Sequence, residues 1–119
     1  ARADYGPLAR GRSHPRTFGT FPRVLGKYVR EEKILDLPTA VKKMTYEPCK
    51  KFNIKDRGLI KEGYFADIVI FNPDTIIDTA TYEDPHKYPV GIEYVIVNGK
   101  TTLEKGKHLG TKAGRVIKW

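Results

Sequence analysis

The 119-residue chain has the length of one domain, and it carries 22 Lys and Arg against 14 Asp and Glu, a formal net charge of +8 that suggests an anionic partner. With 39% hydrophobic and 30% charged residues it is too apolar for general disorder, and a lone Cys49 excludes both a disulfide framework within the chain and a multi-cysteine zinc or iron-sulfur site. No stretch approaches the roughly 20 apolar residues that span a bilayer, and Ala1 to Arg12 lacks the apolar region of a signal peptide, so a soluble, cytoplasmic chain without membrane contact is expected.

The charge is local. Residues 1–30 hold seven basic side chains, Arg2, Arg10, Arg12, Arg16, Arg23, Lys27 and Arg30, against Asp4 alone. From Asn53 onward ten Lys and Arg nearly cancel nine Asp and Glu, as on an ordinary solvated surface. Gly6, Pro7, Gly11, Pro15 and Gly19 punctuate the basic start, which predicts irregular chain over 1–19. Thr20 is then a candidate N-cap with Pro22 in the first turn. Phe21, Val24, Leu25, Tyr28 and Val29 form the stripe of an amphipathic helix over roughly 21–33. Asp36 with Pro38 opens a second helix, with Leu37, Ala40, Val41 and Met44 on one face. Pro48 stops or kinks it, and a short third turn carries Cys49 and Phe52.

After Ile54 the period changes. Asp56-Arg57-Gly58 reads as a turn, Leu59-Ile60 as a short strand and Lys61-Glu62-Gly63 as another turn. Ala66 to Phe71, apolar except for Asp67, is expected as a strand buried on both faces. Ile92 to Val97 is the second strong strand, Asn98-Gly99 the favoured type I′ hairpin dipeptide, Lys100 to Glu104 the return strand, and Arg115 to Trp119 a last strand. Helices first and strands afterwards predict an α+β fold, with helices in 1–54 and a small antiparallel β part in 55–119.

Among groups that carry chemistry, His14, His86 and His108 stand far apart in sequence, with no His-x-His or His-x-x-x-His pair to start a metal site. Gly-rich phosphate loops are absent. Cys49 beside Pro48 reads as a core residue rather than half of a Cys-His nucleophile pair. Ser13-His14-Pro15-Arg16 places an imidazole and a guanidinium fork on a loop just before a helix, a geometry suited to gripping a small carboxylate. The same residues have a structural use, Arg16 pairing with a carboxylate of the fold and His14 capping the helix. Tyr5, Phe18 and Phe21 among the arginines are able to stack bases, but Phe21 already belongs to the helix stripe, so nucleic acid is not favoured.

The run from His14 to Glu31, His14-Pro15-Arg16-Thr17-Phe18-Gly19-Thr20-Phe21-Pro22-Arg23-Val24-Leu25-Gly26 and onward, closely resembles a signature of the N-acyl-D-amino-acid deacylases, or D-aminoacylases, of the amidohydrolase superfamily. Downstream, Asp56-Arg57-Gly58-Leu59-Ile60, Ala66 to Phe71, Thr79-Ala80-Thr81-Tyr82 with Pro85-His86, and Val95 to Lys100 resemble the segment that ends many amidohydrolases. The resemblance covers nearly the whole chain, and only its first part narrows it to deacylases.

Such enzymes are several times longer, and the resemblance implies a C-terminal fragment: the end of a metal-dependent (β/α)₈ barrel over 1–54 and a portion of a β-sandwich over 55–119. It implies zinc in the parent enzyme with the metal ligands upstream, none of them in this chain, and hydrolysis of N-acyl-D-amino acids. The catalytic aspartate of relatives ends the last barrel strand. Asp4 is the candidate here, but it lacks an apolar strand before it, which favours an aspartate upstream of Ala1 and an isolated chain without activity. For the chain itself the resemblance implies substrate recognition, Arg16 for the free α-carboxylate and His14 to position it or to touch the substrate. The alternative is a small basic binding or assembly module for RNA or an anionic ligand. A fragment with unpaired strand edges is also expected to self-associate through Ala66 to Phe71 or Ile92 to Val97.

Overall fold

The computed structural model describes residues 13–117. The readings made for residues 1–12, Asp4 included, and for Lys118 and Trp119 lie outside them. Helix α1 (Arg16–Arg23) runs directly into a π-helical segment (Val24–Glu31), so the first helix begins well before the expected Thr20 cap. The correction has a local cause. Pro15 already has helical dihedrals, φ −50° and ψ −30°, and the Arg16 N–H, which a helix start leaves without a partner, donates to His14 Nδ1 at 3.1 Å. Thr20 caps nothing; its hydroxyl donates to the Arg16 carbonyl one turn back, at 2.6 Å.

Gly19 does not break this helix, because its missing side chain is what the packing requires. A Cβ there would stand 2.5 Å from Asp78 Cβ. Gly26 has the same role one stretch further on, where a Cβ would overlap the Ile76 carbonyl oxygen and Ile77 Cδ1. After Arg23 the winding is wider, with the Glu32 N–H reaching the Lys27 carbonyl five residues back at 2.8 Å. Leu25 and Gly26 are buried and Val24 and Val29 pack against the core, as the stripe predicts, while Phe21 at its start is 57% exposed.

Two short helices follow, α2 (Leu37–Met44) and α3 (Tyr46–Lys51), separated by Thr45 at φ −126° and ψ −77°. The Asp36 cap is as expected: its Oδ1 accepts the Thr39 N–H at 2.7 Å. Ala40 of α2 is fully buried and, with Leu25 and Ile76, forms the core, against which Leu37, Val41, Met44, Phe71 and Ile92 pack. Cys49 lies within α3, half-buried against Gly58, which adopts φ +83° and approaches the Cys49 Sγ too closely for a side chain.

The β half is a four-stranded antiparallel sheet, β1 (Ile68–Phe71), β2 (Ile92–Val97), β3 (Lys100–Glu104) and β4 (Lys107–His108), in that order. The β2–β3 hairpin matches its sequence signal, with Asn98 at φ +49° and Gly99 at φ +78°. A second tight turn through Lys105 (φ +47°) and Gly106 (φ +75°) adds β4, which the sequence reading missed. Three strand expectations are corrected. Leu59-Ile60 forms no strand, and Ile60 is 90% exposed; residues 115–117 form none either. β1 is not covered on both faces: Val69 and Ile70, successive residues that point to opposite faces, are both half-exposed, and among the described residues the strand lies at the edge of the sheet.

Helix and sheet halves are joined through the segment that follows β1. Arg30 Nη1 donates to the carbonyls of Pro73 (3.1 Å) and Ile76 (2.7 Å), and Arg23 Nη1 donates to Asp78 Oδ2 at 3.0 Å. Arg57 ties the Asp56-Arg57-Gly58 turn to the sheet. It pairs with Asp67, donates to Asn98 Oδ1 at 2.8 Å and stacks over Phe65 with its Cζ 4.2 Å from the ring centre. Asn98 Nδ2 in turn donates to the Ala113 carbonyl at 2.7 Å, holding the C-terminal stretch on the hairpin. No helix of the described residues is long and apolar enough to cross a membrane.

Candidate functional site

The basic start resolves into two kinds of side chain. Arg23 and Arg30 serve the fold, through Asp78 and through two carbonyls, and Lys27 pairs with Glu32 at 3.5 Å. The hydrogen bond to Asp78, followed by that to Tyr28, pushes the Arg23 guanidinium above its already high ordinary pKa. Arg16 differs: it is exposed, and among the described residues its guanidinium has no hydrogen-bonding or ion-pair partner. On this helix the charge that suggested a polyanion is largely spent inside the fold. One fork is left open.

The turn that carries Arg16 is held from both sides. His14 Nδ1 accepts the Arg16 N–H, and the N–H groups of Thr17, Phe18 and Gly19 donate to the carbonyls of His14 and Pro15 at 2.9 to 3.2 Å. The helix start therefore offers no free backbone donors at these positions, and an anion arriving here meets the Arg16 side chain rather than a ring of amides. His14 Nε2 lies 3.2 Å from the Tyr82 hydroxyl, with the two rings edge to face at 5.2 Å. Phe18, one helical turn inward, touches His86 (5.5 Å between ring centres) and Tyr88 (6.1 Å). Ser13 Oγ is enclosed beside this cluster without a hydrogen-bond partner.

The structure thus brings His14 and Arg16, named from the sequence, onto one turn, and it gives His14 the capping use weighed for it. Arg16 makes no ion pair with a structural carboxylate among the described residues. Tyr82, His86 and Tyr88 were missed as neighbours of this turn, since more than sixty residues separate them from it. The histidines do not make a metal centre: among the described residues no group of three or more His, Cys, Asp or Glu could hold an ion. His108 is engaged locally, its Nδ1 accepting the Gly110 N–H at 3.0 Å.

The family model described as "Amidohydrolase family" matches residues 3–103. The chain belongs to the amidohydrolase family. Within it, the chain is 47% identical over 106 residues to the D-aminoacylase of Alcaligenes xylosoxydans xylosoxydans, covering 89% of this chain and 22% of that protein. It is 50% identical over 86 residues to the N-acyl-D-glutamate deacylase of the same organism, covering 72% and 18%. Among solved structures, a D-aminoacylase superposes with a TM-score of 0.86 at 48% identity over 88% of this chain and 22% of that one. The N-acyl-D-glutamate deacylase of Bordetella bronchiseptica, complexed with zinc and a phosphonate mimic of the tetrahedral intermediate, gives 0.76 at 46% identity over 76% and 19%. The resemblance read from His14 to Glu31 is borne out. This amidohydrolase chain spans about a fifth of the length of the relatives it matches.

Proposed function

We propose that the chain is the C-terminal portion of a zinc-dependent amidohydrolase that hydrolyses the amide bond of N-acyl-D-amino acids, releasing a D-amino acid and a carboxylate. In this reading residues 1–54 close the catalytic barrel and 55–119 contribute to a β-sandwich. The observation that carries it is the open Arg16 fork on a turn fixed by His14, in a chain whose relatives include a D-aminoacylase, an N-acyl-D-glutamate deacylase and an N-acyl-D-aspartate deacylase. Those names differ in the amino-acid side chain and share an acylated D-amino acid. Its α-carboxylate is the group common to all of them.

Arg16 supplies what that carboxylate needs: a planar fork, permanently charged, able to donate two parallel hydrogen bonds. His14 positions the fork by taking the Arg16 N–H. The described residues do not fit a zinc site, so none of them is assigned to the metal; zinc enters through the deacylase solved with it, and when bound it would polarise the amide carbonyl and activate water. This chain's part is to fix the substrate's charged end.

The test is hydrolysis of N-acetyl-D- and N-acetyl-L-amino acids by the zinc-loaded gene product that carries these residues, followed by release of the free amine. Turnover of the D-enantiomer with little of the L is expected. No turnover of any N-acyl-D-amino acid overturns the proposal.

A further inference from the structure

The stretch between Asp78 and Val90 is closed at its root by an isolated antiparallel bridge, Ile77 with Val90, whose N–H groups donate to each other's carbonyls at 3.3 and 3.1 Å. Above the bridge it is braced from within. The Thr79 hydroxyl donates to the Tyr88 carbonyl at 2.8 Å, and the Asp84 N–H donates to the Thr81 hydroxyl at 3.0 Å. Thr81 N–H returns a bond to the Asp84 carbonyl at 3.1 Å, and Pro85 is buried. This is a compact loop with its own fastening, not a slack connection. It lays Tyr82 on His14 and both His86 and Tyr88 on Phe18, so the two ends of the loop grip the first turn of α1.

The chemistry of the His14 contact is directional. Nδ1 accepts the Arg16 N–H, so the neutral ring carries its proton on Nε2, and Nε2–H donates to the Tyr82 oxygen. The opposite tautomer would set two donors against each other at Nδ1 and open the helix start. The Arg16 N–H therefore fixes the tautomer, and the Tyr82 oxygen, accepting from Nε2–H, holds the ring in the orientation that keeps Nδ1 on the Arg16 N–H. The Phe18 contacts keep the loop docked whether or not that hydroxyl is present.

We infer that Tyr82 is a positioning residue for carboxylate recognition, acting through His14 on Arg16. The inference rests on the deacylase reading above. Both rings lie toward the surface, with Tyr82 69% exposed, so the hydrogen bond has the modest worth of a solvent-reachable one, and its loss changes an affinity about fivefold.

Tyr82→Phe keeps the ring, its edge contact and the loop, and removes only the oxygen. In the zinc-loaded gene product it is expected to raise KM for an N-acetyl-D-amino acid about fivefold with kcat nearly unchanged, and to leave the corresponding carboxamide unaffected. Hydrogen exchange of the Arg16 amide, which His14 Nδ1 holds, is expected to be about fivefold faster in the variant than in the wild type. An unchanged KM with unchanged exchange of the Arg16 amide overturns the inference, as does an equal loss on acid and carboxamide, which is the mark of a merely structural role. If the wild type turns over no N-acyl-D-amino acid, the reading beneath the inference has failed and the carboxylate role of Tyr82 fails with it. Wild-type turnover beside an unaltered variant is the failure of Tyr82 alone.

Discussion

Replacing Gly19 by alanine adds one methyl group where α1 meets the segment after β1. Its Cβ would stand 2.5 Å from Asp78 Cβ, whereas carbon atoms in contact rest at about 3.5 to 4.0 Å, so the deficit is about 1 Å. Asp78 Cβ is fixed by its backbone, and no rotamer change moves it away. The carboxylate beyond it is held by Arg23 at 3.0 Å. The helix must therefore back off, loosening the Arg23–Asp78 pair and the seat of Leu25 on Ile76. Overpacking of this kind costs about 1 to 3 kcal/mol, and alanine returns up to about 1 kcal/mol of helix propensity, which leaves a net loss of about 1 to 2 kcal/mol. Chemical denaturation of the wild type and Gly19→Ala measures it. Gly114→Ala is the control, because among the described residues no atom stands within 4 Å of its Cβ position and its backbone is not left-handed. Gly26→Ala should lose more than Gly19→Ala, since its methyl meets the backbone carbonyl that also accepts Arg30. Equal or higher stability of Gly19→Ala would refute the close-approach argument, showing that propensity outweighs contact.

Three further outcomes follow from particular residues. The Asp36 carboxyl is held below its ordinary value by Thr39, through its hydroxyl first and its backbone N–H second, so the cap stabilises the ionised form. Its contribution is complete above the unfolded pKa of about 3.9 and is lost as pH falls through the lower folded value; the stability gap between wild type and Asp36→Ala should stay constant near neutrality and close in acid. Asn98→Gly keeps the left-handed turn but removes the bonds to Arg57 and Ala113, and should cost roughly 2 to 4 kcal/mol by denaturation; a neutral result would mean that the hairpin does not depend on that network. The exposed edge of β1, with Val69 and Ile70 uncovered, predicts self-association of the 119-residue chain in sedimentation velocity, and a strictly monomeric boundary at all concentrations would contradict it.

What the sequence disclosed and what it withheld divide along the range of the forces. The Asp36 cap, the Asn98-Gly99 turn and the strands on either side of it are set by neighbours a few residues apart, and all were legible. The start of α1 was not, because glycine and proline read as breakers until Asp78 and Ile76 are seen to need the room that Gly19 and Gly26 leave. The stripe from Phe21 to Val29 was legible for Val24, Leu25 and Val29, which meet the core, and not for Phe21, which lies on α1 ahead of the π-helical winding and is exposed. At the site, His14 and Arg16 stood out by residue type and spacing. Their distant support did not, since Tyr82 reaches His14 only through the fastening of the 79–89 loop. The motif containing Tyr82 was visible in the resemblance, but a motif without a partner carries no role. Charge misled in a similar way. Arg23 and Arg30 count toward the basic excess yet face Asp78 and backbone carbonyls rather than a polyanion.

The central claim is that Arg16 recognises the substrate's α-carboxylate. It is tested most directly by comparing Arg16→Gln with wild type on an N-acetyl-D-amino acid and on its carboxamide, in the zinc-loaded gene product that carries this chain. A charged hydrogen-bonded pair of about 2 kcal/mol predicts a loss of roughly 30-fold in kcat/KM on the free acid and little change on the carboxamide, which presents no charge for the fork to meet. Equal losses on the two substrates, or none on the acid, would contradict it.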